Sequence, residues 1–251
     1  MDRRVLLVLI FIFIIVISGI SFFILKMTPE AKIERLDRSK LVYDQARRFL
    51  KEGEEAKAVN AFIIAVSQYP TSKYSEKSLR ELASIYQKND NYIKATYYYK
   101  RLLRTFPDIK DAAKIQDTIG DLNMKTLLSP VIAEDSVEYE VQRGDNLFLI
   151  AKRFNTTVGL IKKINNLEKD LIKPGQKLKI NVSRFYILVD KSDNVLTLEK
   201  DGEPFKTYSV STGKDNSTPV GIFKIEEKMV RPVWYKVGAI VAPDSEKYEL
   251  G

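Results

Sequence analysis

The chain has 251 residues, of which 45% are hydrophobic, an ordinary fraction for folded protein that allows one large domain or several small ones. The formal net charge is +8, but lysine and arginine are interleaved with aspartate and glutamate throughout. This distribution argues against nucleic-acid binding, and it suits an acidic polymer surface. The sequence contains no cysteine and no histidine, so it offers no disulfide, lipid-modified cysteine, thiol nucleophile or Ser-His pair, and we expect no metal site and no cofactor.

Residues 1–26 predict a transmembrane helix that anchors the chain. The apolar run from Val5 to Leu25 is interrupted only by Ser18, Gly19 and Ser21. At about 1.5 Å per residue, this run is long enough to span the bilayer core. A cleaved signal peptide with its site near Gly19 is the alternative. The run continues apolar beyond that position to Leu25, which favours an uncleaved anchor.

Residues 39–127 predict an all-α region that contains an internal repeat. The stretch from Ala46 to Pro70 aligns without a gap with the stretch from Ala83 to Pro107. Matched pairs are Ala46/Ala83, Phe49/Tyr86, Ala58/Ala95, Phe62/Tyr99, Ala65/Leu102, Tyr69/Phe106 and Pro70/Pro107. Alanine lets two helices approach closely, an aromatic ring fills the space opposite, and proline ends the second helix. The pattern resembles the tetratricopeptide repeats of envelope assembly proteins, with a further helix over Ala112–Leu127 as a cap.

That resemblance implies a concave face that holds another protein, and Tyr97, Tyr98, Tyr99 and Lys100 are the candidate contacts. Two alternatives stay open: the tyrosines pack against a neighbouring helix, or the repeats only space the anchor from the wall. The partner cannot be read from the sequence. Residues 128–137, LSPVIAEDSV, predict a linker.

Residues 138–182 predict a small α+β module with the order strand, helix, helix, strand (βααβ). A short strand at Tyr139–Val141 is followed by a turn at Arg143-Gly144-Asp145 and a helix that begins near Asn146. A second helix follows, and the turn Pro174-Gly175 precedes a closing strand. These residues at this spacing resemble a LysM module, a small glycan-binding domain.

In the LysM family, a shallow groove between two loops holds N-acetylglucosamine units. The resemblance implies that Gly144, Asp145, Asn146 and Leu147 face Ile172, Lys173, Pro174 and Gly175 across this groove. Backbone amides and carbonyls can bind acetamido groups, while apolar side chains cover sugar faces. The alternative is that the glycines and the proline serve only the turns.

The expected partner is therefore peptidoglycan, through its glycan strands and stem peptides. Charges flank both ends of the apolar run, so charge alone does not decide the orientation of the anchor. The wall-binding module does decide it. We expect a single-pass protein of the bacterial inner (cytoplasmic) membrane, with residues 27 onward in the periplasm or wall zone.

From residue 184 the pattern predicts short strands at Phe185–Val189, Val195–Leu198, Phe205–Val210 and Gly221–Ile225. The strings YSVSTGK at 208–214 and STPVGIFKI at 217–225 resemble the opening half of an L,D-transpeptidase catalytic domain of the YkuD type. The resemblance covers residues 184–251. The predicted fold class is therefore multidomain: a transmembrane helix, all-α repeats, an α+β LysM module and the start of an all-β domain.

Members of this family crosslink peptidoglycan stem peptides by cysteine acyl transfer. Their catalytic groups lie in a His-Gly segment and a Ser-x-Gly-Cys-x-Arg segment, and neither segment exists here. We therefore assign no catalytic residue, and we expect the chain as given to be inactive. A half-built sheet would expose an unpaired edge, so we expect a fragment of a longer enzyme. The alternative is a non-enzymatic wall-binding scaffold that recruits a protein partner through its repeats.

Overall fold

The computed structural model describes residues 29–213, 217–226, 232–236 and 238–245, with side chains from residue 38 onward except at 234 and 236. The predicted membrane anchor, residues 1–26, lies outside the described residues. Among the helices that are described, none is both long enough and apolar enough to cross a membrane. The chain divides into two compact units after Val210.

The first unit begins with successive helices, each packed on the next. They are α1 (Pro29–Lys51), α2 (Glu55–Gln68), α3 (Lys73–Lys88), α4 (Tyr92–Thr105) and α5 (Ala112–Leu128). Helix α1 also contacts α3, as expected when helix pairs stack in a solenoid. The predicted all-α region is confirmed, and α5 stands where the capping helix was expected.

The two aligned stretches share backbone geometry as well as sequence. Gly53 (φ 79°) and Asp90 (φ 55°) adopt left-handed conformations just before α2 and α4. Tyr69 and Phe106 end these helices with φ −130° each. A proline follows both, and proline disfavours helical geometry in the residue before it. The matched alanines at 46, 83, 58 and 95 are fully buried between the helices.

The second layer is the βααβ module. It consists of β1 (Ser136–Glu140), α6 (Leu147–Arg153), α7 (Val158–Ile164) and β2 (Lys177–Asn181). The strands are antiparallel, with Tyr139 opposite Leu178. Residues at helical and strand spacing form its core: Val141, Leu147, Ile150, Ala151, Ile161, Leu178 and Ile180. The predicted order of elements is confirmed.

A three-stranded antiparallel sheet completes the first unit, with strand order β3-β4-β5. Its strands are β3 (Phe185–Asp190), β4 (Val195–Lys200) and β5 (Glu203–Ser209). The β4–β5 turn places Asp201 (φ 53°) and Gly202 (φ 87°) in left-handed conformations, which a tight hairpin turn requires. Strand β5 lies against α5.

The second unit contains a short hairpin of β6 (Trp234–Lys236) and β7 (Ala239–Val241). The strand predicted at Gly221–Ile225 is wrong, because the described residues 217–226 form no strand. An alternating pattern makes a strand only when a neighbour pairs with it, and no described strand pairs with this stretch. Ile222 and Phe223 are correspondingly exposed.

Candidate glycan-binding groove

The first loop of the predicted groove is a glycine turn that links β1 to α6. Asp145 N donates to Gln142 O over 3.1 Å, which closes the turn. Gly144, in its third position, has φ 86°, a value that favours glycine. A Cβ at Gly144 would meet nothing within 4 Å, so the space above this turn is open.

The second loop is a turn of the same kind just before β2. Gln176 N donates to Lys173 O over 3.0 Å, with Pro174 and Gly175 between them. Gly175 has φ 83°, so proline and glycine occupy the two positions that a type II turn prefers for them. A Cβ at Gly175 would likewise meet nothing within 4 Å.

Val141 brings the two turns together. Gly175 N donates to Val141 O over 2.8 Å, and Val141 N donates to Gln176 O over 2.9 Å. Because the first turn begins at the next residue, Gln142, both turns lie at the same end of the β1–β2 ladder. The structure therefore places the two predicted loops beside each other, each open above its glycine.

Asp145 holds the first turn in place. Its Oδ2 accepts hydrogen bonds from the Tyr139 hydroxyl (2.7 Å) and from Gln142 N (2.8 Å). Its Oδ1 lies 3.5 Å from Arg153 Nη2, and Arg153 also donates to the Tyr139 hydroxyl. The hydrogen bond from Tyr139 is the main reason that the pKa of Asp145 lies below its usual value. The Asp145 carboxylate therefore binds other groups of the protein and holds the first loop in shape.

Asn146 and Leu147 also have structural roles. The Asn146 side chain accepts from Leu149 N over 2.9 Å and caps the amino end of α6. Leu147 is buried in the module core, and Ile172 packs against that core from the second loop. Lys173 and Pro174 remain exposed.

The sequence analysis missed two exposed apolar residues next to these loops. Phe148 is 68% exposed in the first turn of α6, and Leu171 is 76% exposed just before the second loop. A signal was available for Phe148, since Leu147, Ile150 and Ala151 define the buried face of α6 and Phe148 falls outside it. Exposed apolar side chains in this position suit the faces of sugar rings.

The tyrosines of α4 separate into packed and exposed residues. Tyr98 is buried, with its ring stacked on Tyr86 at a centroid distance of 5.5 Å, so for this residue the structure agrees with the alternative of packing against a neighbouring helix. Tyr99 is half-buried and donates to Gln87 Oε1 over 3.3 Å. Tyr97 is 52% exposed, and Lys100 is also exposed.

The serine- and threonine-containing stretch of the second unit has a structural role. Gly213 N donates to Thr218 Oγ1 over 2.6 Å. A Cβ at Gly213 would lie 2.2 Å from Ser217 Oγ and 3.1 Å from Thr218 N, so Gly213 and residues 217–218 approach each other closely.

Three models of known families match successive and partly overlapping parts of the chain. The model of the LysM domain matches residues 139–181, and that of the L,D-transpeptidase catalytic domain matches residues 184–249. A model described as an outer membrane lipoprotein matches residues 36–148 and covers the helical repeats. These matches confirm the suspected composition of the chain, and the two domain matches support a cell-wall-associated, peptidoglycan-binding protein.

Several curated proteins share local similarity with the chain. A probable endopeptidase p60 of Listeria monocytogenes is 45% identical over 69 residues, which cover 28% of this chain and 14% of the relative. The p60 protein of Listeria innocua is 32% identical over 126 residues, covering 50% and 27%. The probable peptidoglycan endopeptidase LytE of Bacillus subtilis is 42% identical over 45 residues, covering 18% and 14%. The chain thus spans between 14% and 27% of the length of these relatives.

Proposed function

We propose that the chain binds the glycan strands of peptidoglycan in the groove between residues 144–147 and 172–175. The observation that carries the proposal is the bond from Gly175 N to Val141 O, which places two open glycine turns side by side. Backbone groups of these turns supply hydrogen bonds to acetamido groups, and Phe148 and Leu171 supply apolar faces for the sugar rings. Asp145, Asn146 and Leu147 act by shaping the first loop.

A pulldown on purified peptidoglycan tests this proposal. The detergent-solubilised full chain should sediment with the wall, and Phe148→Ala with Leu171→Ala should release most of it, because each replacement removes an exposed apolar face. Val137→Ala is the matched control, since Val137 is 39% exposed and pairs with Ile180 away from the loops. Equal retention of both variants would show that the groove does not hold glycan.

The resemblance of residues 184–249 to an L,D-transpeptidase catalytic domain supports a finer proposal. In that reaction a cysteine thiolate attacks a stem-peptide carbonyl and expels the terminal D-alanine, and the acyl group then passes to an amine of another stem. The 251 residues contain no cysteine and no histidine, so they supply neither the nucleophile nor its base. The reading frame beyond codon 251 tests the proposal: His-Gly and Ser-x-Gly-Cys-x-Arg segments would support it, and an authentic stop codon would refute it.

Residues 1–26 support a further proposal, a single-pass anchor in the bacterial inner membrane with the wall-binding part in the periplasm or wall zone. The support is the long apolar run from Val5 to Leu25 and the LysM module that follows, whose proposed ligand is the wall. Without protease the full chain should sediment with the membrane, and protease added to intact spheroplasts should digest residues 27 onward. Complete protection from protease would reject this orientation.

A non-enzymatic scaffold is the second candidate. An open depression of about 490 Å³ is lined by α4, α5, residues 132–135 and the β4–β5 hairpin. Three exposed apolar residues line it, Ile93, Tyr97 and Ile132, with Lys100 beside them. Such a depression suits a peptide from a protein partner. Crosslinking from a photoreactive residue at Tyr97, compared with one at exposed Lys88, would test whether a protein occupies it in cells.

A further inference from the structure

Helix α5 is joined at its carboxyl end to the glycan-binding module by a buried lysine. Lys179 of β2 is only 4% exposed. Its Nζ donates to Thr126 O (3.1 Å), Leu127 O (3.4 Å) and Ser129 O (2.9 Å). The last carbonyls of a helix lack partners within the helix, and they lie at the negative end of its dipole. Lys179 therefore satisfies the carboxyl end of α5 from a strand of another domain.

The middle of α5 is shaped to receive β5. Lys206 Nζ lies 2.9 Å from Asp117 Oδ1 and 2.6 Å from Asp121 Oδ1. The lysine stem crosses the helix at Gly120, where a Cβ would come within 2.8 Å of Lys206 Cδ. Close by, Asn123 Nδ2 donates to Phe205 O over 2.8 Å.

A third lysine links the sheet directly to the chain that enters the module. Lys200 Nζ of β4 pairs with Asp135 Oδ2 over 2.8 Å, and the Asp135 side chain is 16% exposed. The backbone carbonyl of Asp135 accepts from Val182 N (3.0 Å) and from Asn181 Nδ2 (3.1 Å). This residue therefore contacts both the end of β2 and the sheet that follows.

We propose that α5 is a coupling helix that fixes the LysM module and the β3–β5 sheet in one orientation. Glycan bound in the groove is then held at a set distance from the β3–β5 sheet, which forms the first part of the transpeptidase-like stretch. The presentation of glycan rests on the proposed function of the groove, whereas the fixed orientation of the module and the sheet rests only on the contacts of α5. The positioning residues are Lys179, Lys206 and Gly120.

The expected behaviour differs from that of modules joined by a flexible linker. Domains in one chain usually move relative to one another unless their interface is extensive, and exposed ion pairs restrain them little. Lys179 is different because it is buried with three acceptors. Separating the module from α5 would leave polar groups without partners until water reached them.

Distance measurements on the full chain test the coupling, and the absence of native cysteine makes spin labelling specific. Labels at the exposed sites Glu168→Cys and Asp193→Cys report on the module and on the β3–β4 turn. Pulsed electron paramagnetic resonance should give one narrow distance distribution. Lys179→Met combined with Lys206→Met should broaden it by roughly twofold or more. Gly120→Ala is a milder second variant that should broaden it less.

Lys177→Met is the matched control. Lys177 is on the same strand as Lys179, but its pair with Glu138 is exposed, with side-chain exposures of 64% and 52%. The control should keep the narrow distribution. A broad distribution in the unsubstituted chain, or an unchanged one in folded Lys179→Met with Lys206→Met, would overturn the proposal.

A peptidoglycan pulldown of the same variants separates this proposal from the proposed function. The coupling variants should still bind the wall, because the two glycine turns are intact in them. If the labelled but otherwise unsubstituted chain does not bind the wall, the proposal of glycan binding is rejected. The coupling proposal is unaffected by that result, because the distance distribution alone decides it.

Discussion

Two helical glycines provide a paired test of the packing between α5 and β5. Glycine in a helix is less favourable than alanine by about 0.5–1 kcal/mol, so Gly→Ala normally stabilises a helix where there is space. At Gly159 in α7, a Cβ would meet nothing within 4 Å. We therefore expect Gly159→Ala to raise the free energy of unfolding by about 0.5–1 kcal/mol.

Gly120→Ala should have the opposite sign. The added Cβ would lie 2.8 Å from Lys206 Cδ and 3.4 Å from Lys206 Cα. The stem cannot swing away while Nζ stays bound to Asp117 and Asp121. Overpacking of this kind costs about 1–3 kcal/mol. Subtracting the gain in helix propensity leaves a net destabilisation of about 0–2.5 kcal/mol, centred near 1 kcal/mol.

Urea unfolding, with hydrogen exchange of the β5 amides as the local readout, measures both changes. In a Lys206→Ala background the obstructing Cδ is gone and the nearest remaining atom lies 3.4 Å away, so Gly120→Ala should recover the gain in helix propensity and stabilise the chain by up to about 0.5–1 kcal/mol. Loss of the ion pairs themselves contributes little, because the two aspartate side chains are 63% and 59% exposed. The proposed clash between a side chain at position 120 and Lys206 is refuted if Gly120→Ala stabilises the chain as Gly159→Ala does, or if its cost is unchanged in the Lys206→Ala background.

Three further predictions concern the module. The hydrogen bond from Tyr139 lowers the pKa of Asp145 in the folded chain. The ionised carboxylate therefore stabilises the fold at pH values above the ordinary aspartate pKa, and this stabilisation is lost as the pH falls through the lower pKa of the folded chain. The stability difference between the unsubstituted chain and Asp145→Asn should therefore close below about pH 4, and a constant difference would contradict this. Burial lowers the pKa of Lys179, so the unfolded chain keeps this proton to a higher pH than the folded chain does. The free energy of unfolding of the unsubstituted chain, relative to that of Lys179→Met, should therefore rise as the pH increases toward about 10. Urea titrations at several pH values measure this difference. Gly175→Ala places a side chain at φ 83° and should cost about 1–2 kcal/mol in thermal unfolding, whereas no cost would mean that the turn relaxes.

The elements that the sequence predicted correctly are those with a local cause. Gly144 and Gly175 stand where turns need a positive φ, and both were predicted as turn residues from their neighbours alone. The matched alanines of the repeat were predicted as helix contacts because a small residue recurred at each position. In both cases the residue type and its near neighbours in the sequence are enough to predict the structural role.

Residues whose role depends on a distant partner were not predictable. Lys179 alternates with Leu178 and Ile180 as a strand residue facing water would, and nothing near it shows that the end of α5 covers that face. In the sequence, Gly120 looks only like a residue that weakens a helix. The contact that explains a glycine at this position is with Lys206, far along the chain. The interval Gly221–Ile225 has the alternation of a strand, but pairing decides whether a strand forms.

Strand β3 supports a last prediction about association. It is an edge of its sheet, and no other described strand pairs with its free side. Tyr186 and Leu188 on one face are 55% and 56% exposed, and Ile187 and Val189 on the other are 51% and 43% exposed. An edge that is apolar on both faces promotes strand-to-strand association, and a lysine on it opposes association. Leu188→Lys should therefore lower the apparent mass of the chain in sedimentation at high concentration, whereas Ile64→Lys on α2, at 44% exposure, should not. Equal behaviour of the two variants would mean that β3 does not mediate association.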